Sequence, residues 1–331
     1  MLNAHSSIAI PEEMLYFRSH FGHARIEDWR APSISEEDYT KIVEDFVSRA
    51  SKLHPELDDD ALFNQILSEP KRDLRHPFLA VMSEWTKKHG KARWGEKTPG
   101  NLFYVDIMRE MFPEACFVYM VRDPRAGVAS MNRANFFPND AVLNALTRRK
   151  HARVGLKLLR KHVPEKQWLT TRYEDLVQNP EEELRRICDM IGERYEPQML
   201  SYHDSAAHYM KAEASQSFNA AATKPVTTSK IRRWRDELAP FQIAAIERIC
   251  RDEMNRHSYK PLKLSLPVLE KLRLYVKIVL WELYWDLQMW RHQDVRHYTV
   301  KHEIFARSRR RIEEITQFFG KSASSSKNSS C

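Results

Sequence analysis

The chain has little of what marks several common protein classes. Eight glycines in 331 residues exclude a collagen-like or glycine-rich architecture, and no self-similarity recurs at a fixed period. Its four cysteines, Cys116, Cys188, Cys250 and Cys331, are far apart and form no CxxC pair. That excludes a disulfide framework and a cysteine zinc site, and leaves reduced core residues plus one tail thiol. His5, His203 and His208 have no carboxylates at ligand spacing, so they read as structural or surface residues rather than a metal site. There is no signal-peptide pattern and no spanning apolar run, so a cytoplasmic location is the expectation. A zinc finger, an RNA-binding signature and a basic helix with interleaved aromatics are lacking too, so no nucleic-acid partner is expected.

What is present is a chain able to bury a substantial core, with 42% hydrophobic residues. Its net charge of +8 is uneven: residues 1–70 carry −8 and the remainder +16, a distribution that draws an anionic ligand to the later part. Segments 7–10, 92–95, 116–121 and 167–171 are short apolar runs separated by helical patterns at 36–53, 77–89, 102–111, 140–162, 181–191 and 240–255. That alternation predicts an α/β fold with a parallel sheet and crossover helices. Asn179-Pro180-Glu181 is a strong helix start, with a capping side chain and proline at the first helical position. The acidic stretch 26–74 is expected to form a helical insertion or lid over the acceptor side.

The most informative window is FVYMVRDPRAGVASM, 117–131. The apolar run 116–121 reads as a strand buried on both faces. Arg122 stands where that strand ends, Pro124 suits the first turn of a helix, and Ser130 falls two turns on, facing the helix start. A guanidinium fork and a hydroxyl there can close on one phosphate, because charge-assisted bonds are short and directional. The plainer reading is an exposed arginine paired to Asp123.

Neighbouring blocks add to this window. Upstream is Trp94-Gly95-Glu96-Lys97-Thr98-Pro99-Gly100-Asn101; downstream are Thr171-Arg172-Tyr173-Glu174-Asp175-Leu176 and Ile231-Arg232-Arg233-Trp234-Arg235-Asp236-Glu237-Leu238. In this order and spacing they resemble the sulfotransferase family that uses 3'-phosphoadenosine-5'-phosphosulfate (PAPS), in the branch of the protein-tyrosine sulfotransferases and their bacterial relatives. The resemblance covers roughly residues 1–255. It implies a P-loop-NTPase-like three-layer fold over 1–258 and sulfuryl transfer from PAPS to an acceptor hydroxyl on a protein tyrosine, a carbohydrate or a small molecule. Arg122 and Ser130 match the pair that holds the 3'-phosphate, Tyr173 a residue beside the nucleotide, and Arg233 a basic residue near the same phosphate. Lys97 matches a lysine aimed at the transferring sulfuryl group. Of Glu12 and Glu13, Glu13 aligns better with the family's catalytic base, and no metal is implied.

One part of the family pattern has no counterpart. Relatives begin with a strand and a loop that cradles the 5'-phosphosulfate, whereas Met1 to His5 reads as the last turn of the helix after that loop. The chain is expected to start about 20 residues late, judged from a strand-loop-helix unit. Weak donor binding or inactivity would follow, and any targeting signal would lie in that part. The alternative is a non-catalytic nucleotide-binding or interaction protein of the same fold.

Residues 259–320 read as a helical extension. Leu269, Leu272, Val276, Val279, Leu283, Leu287 and Trp290 recur at steps of three and four, while Arg273, Lys277, Glu282 and Asp286 interrupt too often for a membrane span. Trp281, Tyr284, Trp285 and Trp290 form an aromatic-rich patch. The stripe has three readings: packing on the catalytic domain, a homodimer, or peripheral membrane contact. The arginines of 307–311 read as a solvated face, and the serine-rich tail 321–331 as disordered.

Overall fold

The computed structural model describes residues 1–21, 34–70, 72–134, 137–204 and 224–292; the side chains of 285–292 lie outside that description. Among the described residues, four short strands form two parallel pairs. β1 (Ile8–Ala9) pairs with β2 (Arg93–Trp94), and β3 (Phe117–Val121) with β4 (Trp168–Arg172), in a register running from Phe117↔Trp168 to Val121↔Arg172. Each strand falls within one residue of its expected segment. The expectation that β3 is buried on both faces is corrected: only Val121 is fully buried, Phe117 to Tyr119 are half-buried and Met120 is 46% exposed. Among the described residues β3 ladders with β4 alone, and no strand joins it to β2.

The two pairs nevertheless share an orientation. His5 Nε2 lies 2.8 Å from the Arg194 carbonyl and the Ser6 amide donates to Glu196 at 2.7 Å. Arg93 donates to the Ile191 carbonyl at 2.8 Å, and the Cys116 thiol lies 3.8 Å from the Met190 carbonyl. Residues 190–196 thus run along the starts of β1, β2 and β3. Strands that begin on one segment and run parallel within each pair place their carboxyl ends on the opposite edge, where open α/β sheets bind ligands.

Helices cover the strands in two packed clusters. α1 (Tyr16–His20), α2 (Glu36–Leu53), α3 (Asp59–Ser68) and α4 (Arg75–Lys88) enclose an aromatic core in which the Tyr16 ring centroid lies 4.4 Å from that of Phe46 and 5.3 Å from that of Phe78. Side chains of Ser35 and Asp58 cap α2 and α3 by accepting amides of Asp38 and Ala61. Tyr39, Val43, Phe46 and Ile66 place the described part of the 26–74 insertion inside this core, with burial of about 1.5–3 kcal/mol per large apolar side chain. Residues 26–33 of that insertion lie outside the described residues.

The 3-10 turn Pro99–Phe103 and α5 (Val105–Met111) lead into β3; α6 (Pro124–Arg133) and α7 (Ala141–His162) follow it. A Cβ on Gly155 would fall 2.1 Å from Leu102 Cγ, so the glycine is what lets α7 lie directly on the 99–103 turn. α8 (Tyr173–Gln178) and α9 (Pro180–Ile191) follow β4, and α10 (Trp234–Glu237), α11 (Pro240–Ile249) and α12 (Arg251–Arg256) come later. The single helix expected over 240–255 breaks at Cys250 (φ −97°, ψ 18°), whose buried thiol lies 3.6 Å from the Ala145 carbonyl. α6, α7 and α11 form the second cluster around Val128, Ala145, Leu146 and Ile246.

α13 (Val268–His292) is the long helix expected of the extension, and it packs by the opposite side from its stripe. Leu274 and Trp281 are buried in the second cluster, flanked by Ile278 and Tyr284, and Lys277 and Glu282 pair with Asp140 and Arg149. Leu269 and Leu272 are each 58% exposed and Leu283 is 61% exposed. The helix therefore does pack on the catalytic domain, but through Leu274 and Trp281 rather than through Leu269, Leu272, Val276 and Leu283 of the stripe. The aromatic Trp281 and the paired charges fit the groove on α7 better than the leucines do. The side chains of Trp285, Leu287 and Trp290, together with 307–311 and 321–331, lie outside the described residues.

Candidate active site

At the end of β3, Arg122-Asp123-Pro124-Arg125 separates two arginines that look alike in sequence. Asp123 caps α6 by accepting the Arg125 amide at 2.9 Å, with Pro124 at the first helical position. The Arg125 guanidinium donates to Asp123 at 2.9 and 2.7 Å and to Glu247 at 2.7 Å, and it lies 4.1 Å from the Trp234 ring centroid. All three charged groups are buried. The Asp123 amide donates to Glu174 at 3.0 Å, and Glu174 also accepts the Tyr259 hydroxyl at 2.7 Å; burial holds that phenol well above its ordinary pKa.

Asp123 is thereby committed to Arg125, and the plainer reading of Arg122 as its partner does not hold. Arg122 stacks on Tyr173 with its guanidinium carbon 4.3 Å from the ring centroid and donates one bond, at 3.3 Å, to the Lys230 carbonyl. Its Nε is buried with no hydrogen-bond partner among the described residues. Buried guanidinium donors are ordinarily satisfied, so Arg122 has donor capacity left for an acceptor of another molecule. The Arg148 side chain donates to the Arg122 carbonyl at 2.7 Å. It is seated against Gly127, where a Cβ would fall 2.6 Å from Arg148 Nη1.

The other expected donor ligands are arranged less closely. Ser130 is half-buried on the second turn of α6, seven residues past the cap and so on the cap's face; no described hydrogen bond joins it to Arg122. Tyr173 begins α8 directly after β4. Arg233 is turned to Glu237, with Nε 2.6 Å from its Oε1, while the nearby Lys230 carbonyl is what reaches Arg122.

The turn after β2 brings together the residues expected to do chemistry. Lys97 donates to the Glu13 carboxylate in an ion pair whose side chains are 62% and 38% exposed. Lys97 is thus bonded to Glu13 rather than to its neighbour Glu96. Glu96 instead accepts from the Thr98 hydroxyl and the Asn101 amide. Burial pushes its carboxyl up to about 7, opposed by the Thr98 bond and reinforced by the Glu13 charge. Glu12 presents a buried carboxylate oxygen with no partner. Sequence reasoning gave no role to Glu96, Arg125 or Arg148; the two adjacent charges of Glu96-Lys97 were the only signal available for the first. Among the described residues no three His, Cys, Asp or Glu side chains gather as a metal site.

Residues 1–197 match the model of the "Sulfotransferase family". The chain belongs to the sulfotransferase family. It is 27% identical over 180 residues to a putative protein-tyrosine sulfotransferase of Caenorhabditis briggsae, covering 49% of this chain and 64% of that one. A Caenorhabditis elegans protein of the same description is also 27% identical, with 69% of it covered. The nodulation protein NoeE of Sinorhizobium fredii is 24% identical over 182 residues, 42% of its length. Two solved sulfotransferase domains share the fold: one from the curacin biosynthetic pathway (TM-score 0.50, 16% identity, 78% of this chain and 91% of that one) and one from the Synechococcus PCC 7002 olefin synthase (TM-score 0.50, 18% identity, 79% and 95%). The fold of this chain is accordingly that of sulfotransferases, with parallel strands flanked by helices and a mostly helical content. The match to the C. briggsae relative spans under two thirds of that protein.

Proposed function

We propose that this chain binds PAPS at the carboxyl edge of β3 and β4 and transfers its sulfuryl group to an acceptor hydroxyl. The observation that carries this reading is Arg122, fixed on Tyr173 with a buried Nε that no described group satisfies. An anion with several acceptor oxygens meets that need, and Ser130 lies on the face of α6 that carries its Asp123 cap. Arg233 would join this phosphate group by exchanging Glu237 for it.

PAPS, when bound, supplies a sulfur whose bond to the 5'-phosphate oxygen breaks as a bond to the acceptor oxygen forms. The protein must align those atoms, remove the acceptor proton and offset charge on the leaving oxygen. Glu13 takes the proton in this scheme, and Lys97 supplies positive charge on the sulfuryl side. Their ion pair is compatible with both roles, because an exposed pair of this kind contributes only about 0–1 kcal/mol and Lys97 can leave it for a more anionic partner. The unpartnered oxygen of Glu12 supports a second assignment of the base. The C. briggsae and C. elegans names support a tyrosine hydroxyl as the acceptor.

Isothermal titration with 3'-phosphoadenosine-5'-phosphate tests the binding half. Arg122→Ala is expected to raise Kd by roughly tenfold or more, the loss of a charge-assisted bond; an unchanged Kd removes Arg122 from the site. In assays with labelled PAPS, Glu13→Gln should abolish turnover with Kd unaltered. Loss in Glu12→Gln alone would transfer the base role to Glu12.

A further inference from the structure

Eleven large apolar side chains are exposed among the described residues, and nine of them lie between Leu262 and Leu283. Scattered exposed leucines need no explanation, whereas a contiguous patch marks an interaction surface. At about 100° per residue, the seven exposed apolar residues of α13 occupy an arc of about 140°. Val268 is 82% exposed, Leu280 is 51% exposed and Leu283 is 61% exposed. The opposite side of the helix is held down by Leu274, Trp281 and the Lys277–Asp140 and Glu282–Arg149 pairs, so the helix cannot roll to hide its leucines without breaking them.

The fully exposed charges bordering the patch, among the described side chains, are basic. Lys260, Lys263, Lys271 and Arg273 are exposed. The acidic residues of this stretch with described side chains, Glu270 and Glu282, are half-buried, and Glu282 is already paired. A second copy seated on this face would bring the basic rim against another basic rim, with no acidic row to answer it. An anionic surface with an apolar interior answers both features, the lysines and arginine meeting headgroups and the leucines entering the acyl boundary. No described helix is long and apolar enough to cross a membrane, so the contact is a lateral one.

We infer that the outer face of α13 docks this protein on an anionic lipid bilayer, with the helix lying in the plane of the interface. This inference stands apart from sulfuryl transfer and rests on none of the residues assigned to it.

Flotation of the full chain with vesicles tests it, using phosphatidylcholine alone and phosphatidylcholine mixed with phosphatidylserine. Binding is expected to the mixed vesicles only and to weaken as salt is raised. Combined Lys271→Glu and Arg273→Glu should weaken it about tenfold or more, and Leu272→Asp with Leu283→Asp should abolish it. The charge variants sit on the exposed rim and keep the test decisive if the leucine variants misfold. No binding, equal binding to both vesicles, or binding unchanged in the charge variants overturns the inference. A concentration-dependent dimer that Leu272→Asp dissociates, without vesicle binding, overturns it in favour of a self-interface.

Discussion

The turns after β3 and β2 both end parallel strands, yet one is locked and the other adjustable. After β3, Arg125 bridges Asp123 and Glu247 in the interior, and Arg122, stacked on Tyr173, keeps a buried Nε without a described partner. After β2, Lys97 and Glu13 form a pair open to solvent beside a carboxyl, Glu96, that titrates near neutrality. The contrast shows a binding element positioned by residues that take no part in binding, next to a chemical element whose partners can exchange.

The largest expected effect falls on the locked turn. Arg125→Ala would leave two buried carboxylates unpaired and should cost about 3–5 kcal/mol in denaturant unfolding; a loss under 1 kcal/mol would show the turn is not held this way. Arg122→Ala, three residues away, should change stability by no more than about 1 kcal/mol while weakening nucleotide binding, since it satisfies no buried acid. Equal stability losses in the two variants would erase the distinction.

A smaller effect concerns pH. Glu96 keeps its proton to about pH 7 when folded and releases it near 4.5 when unfolded. Its contribution to stability is full below 4.5 and is lost as pH rises through 7, with a slope of at most about 1.4 kcal/mol per pH unit between them. Glu96→Gln should flatten the stability profile over that window, and an unaltered slope would place the titration elsewhere. The smallest effect is expected of Lys97→Ala, within about 1 kcal/mol of wild-type stability, because both partners of its ion pair are open to solvent.

Much of this was legible before the fold. The four strands were readable because each is a short apolar run bounded by polar turns, and local patterning sets where a strand begins and ends. Their exposure was not, because it depends on whether a neighbour covers the free edge, and among the described residues β3 has one only on the β4 side. Arg122 was readable from its place at a strand end; Arg125 was not, because the partner that buries it, Glu247, is 122 residues away. Cys250 broke a periodic pattern that still runs on in sequence, since its thiol packs on α7.

Residue order alone determined where the strands and most of the long helices lie, the presence of an apolar stripe on α13 and the cluster of groups suited to an anion. Only tertiary structure decided which arginine is spent internally, which acid holds its proton near neutrality, and which side of α13 meets water. Periodicity and capping act over a few residues and are written locally, whereas charge pairing, desolvation and the choice of a covered face depend on distant segments that arrive only when the chain is folded.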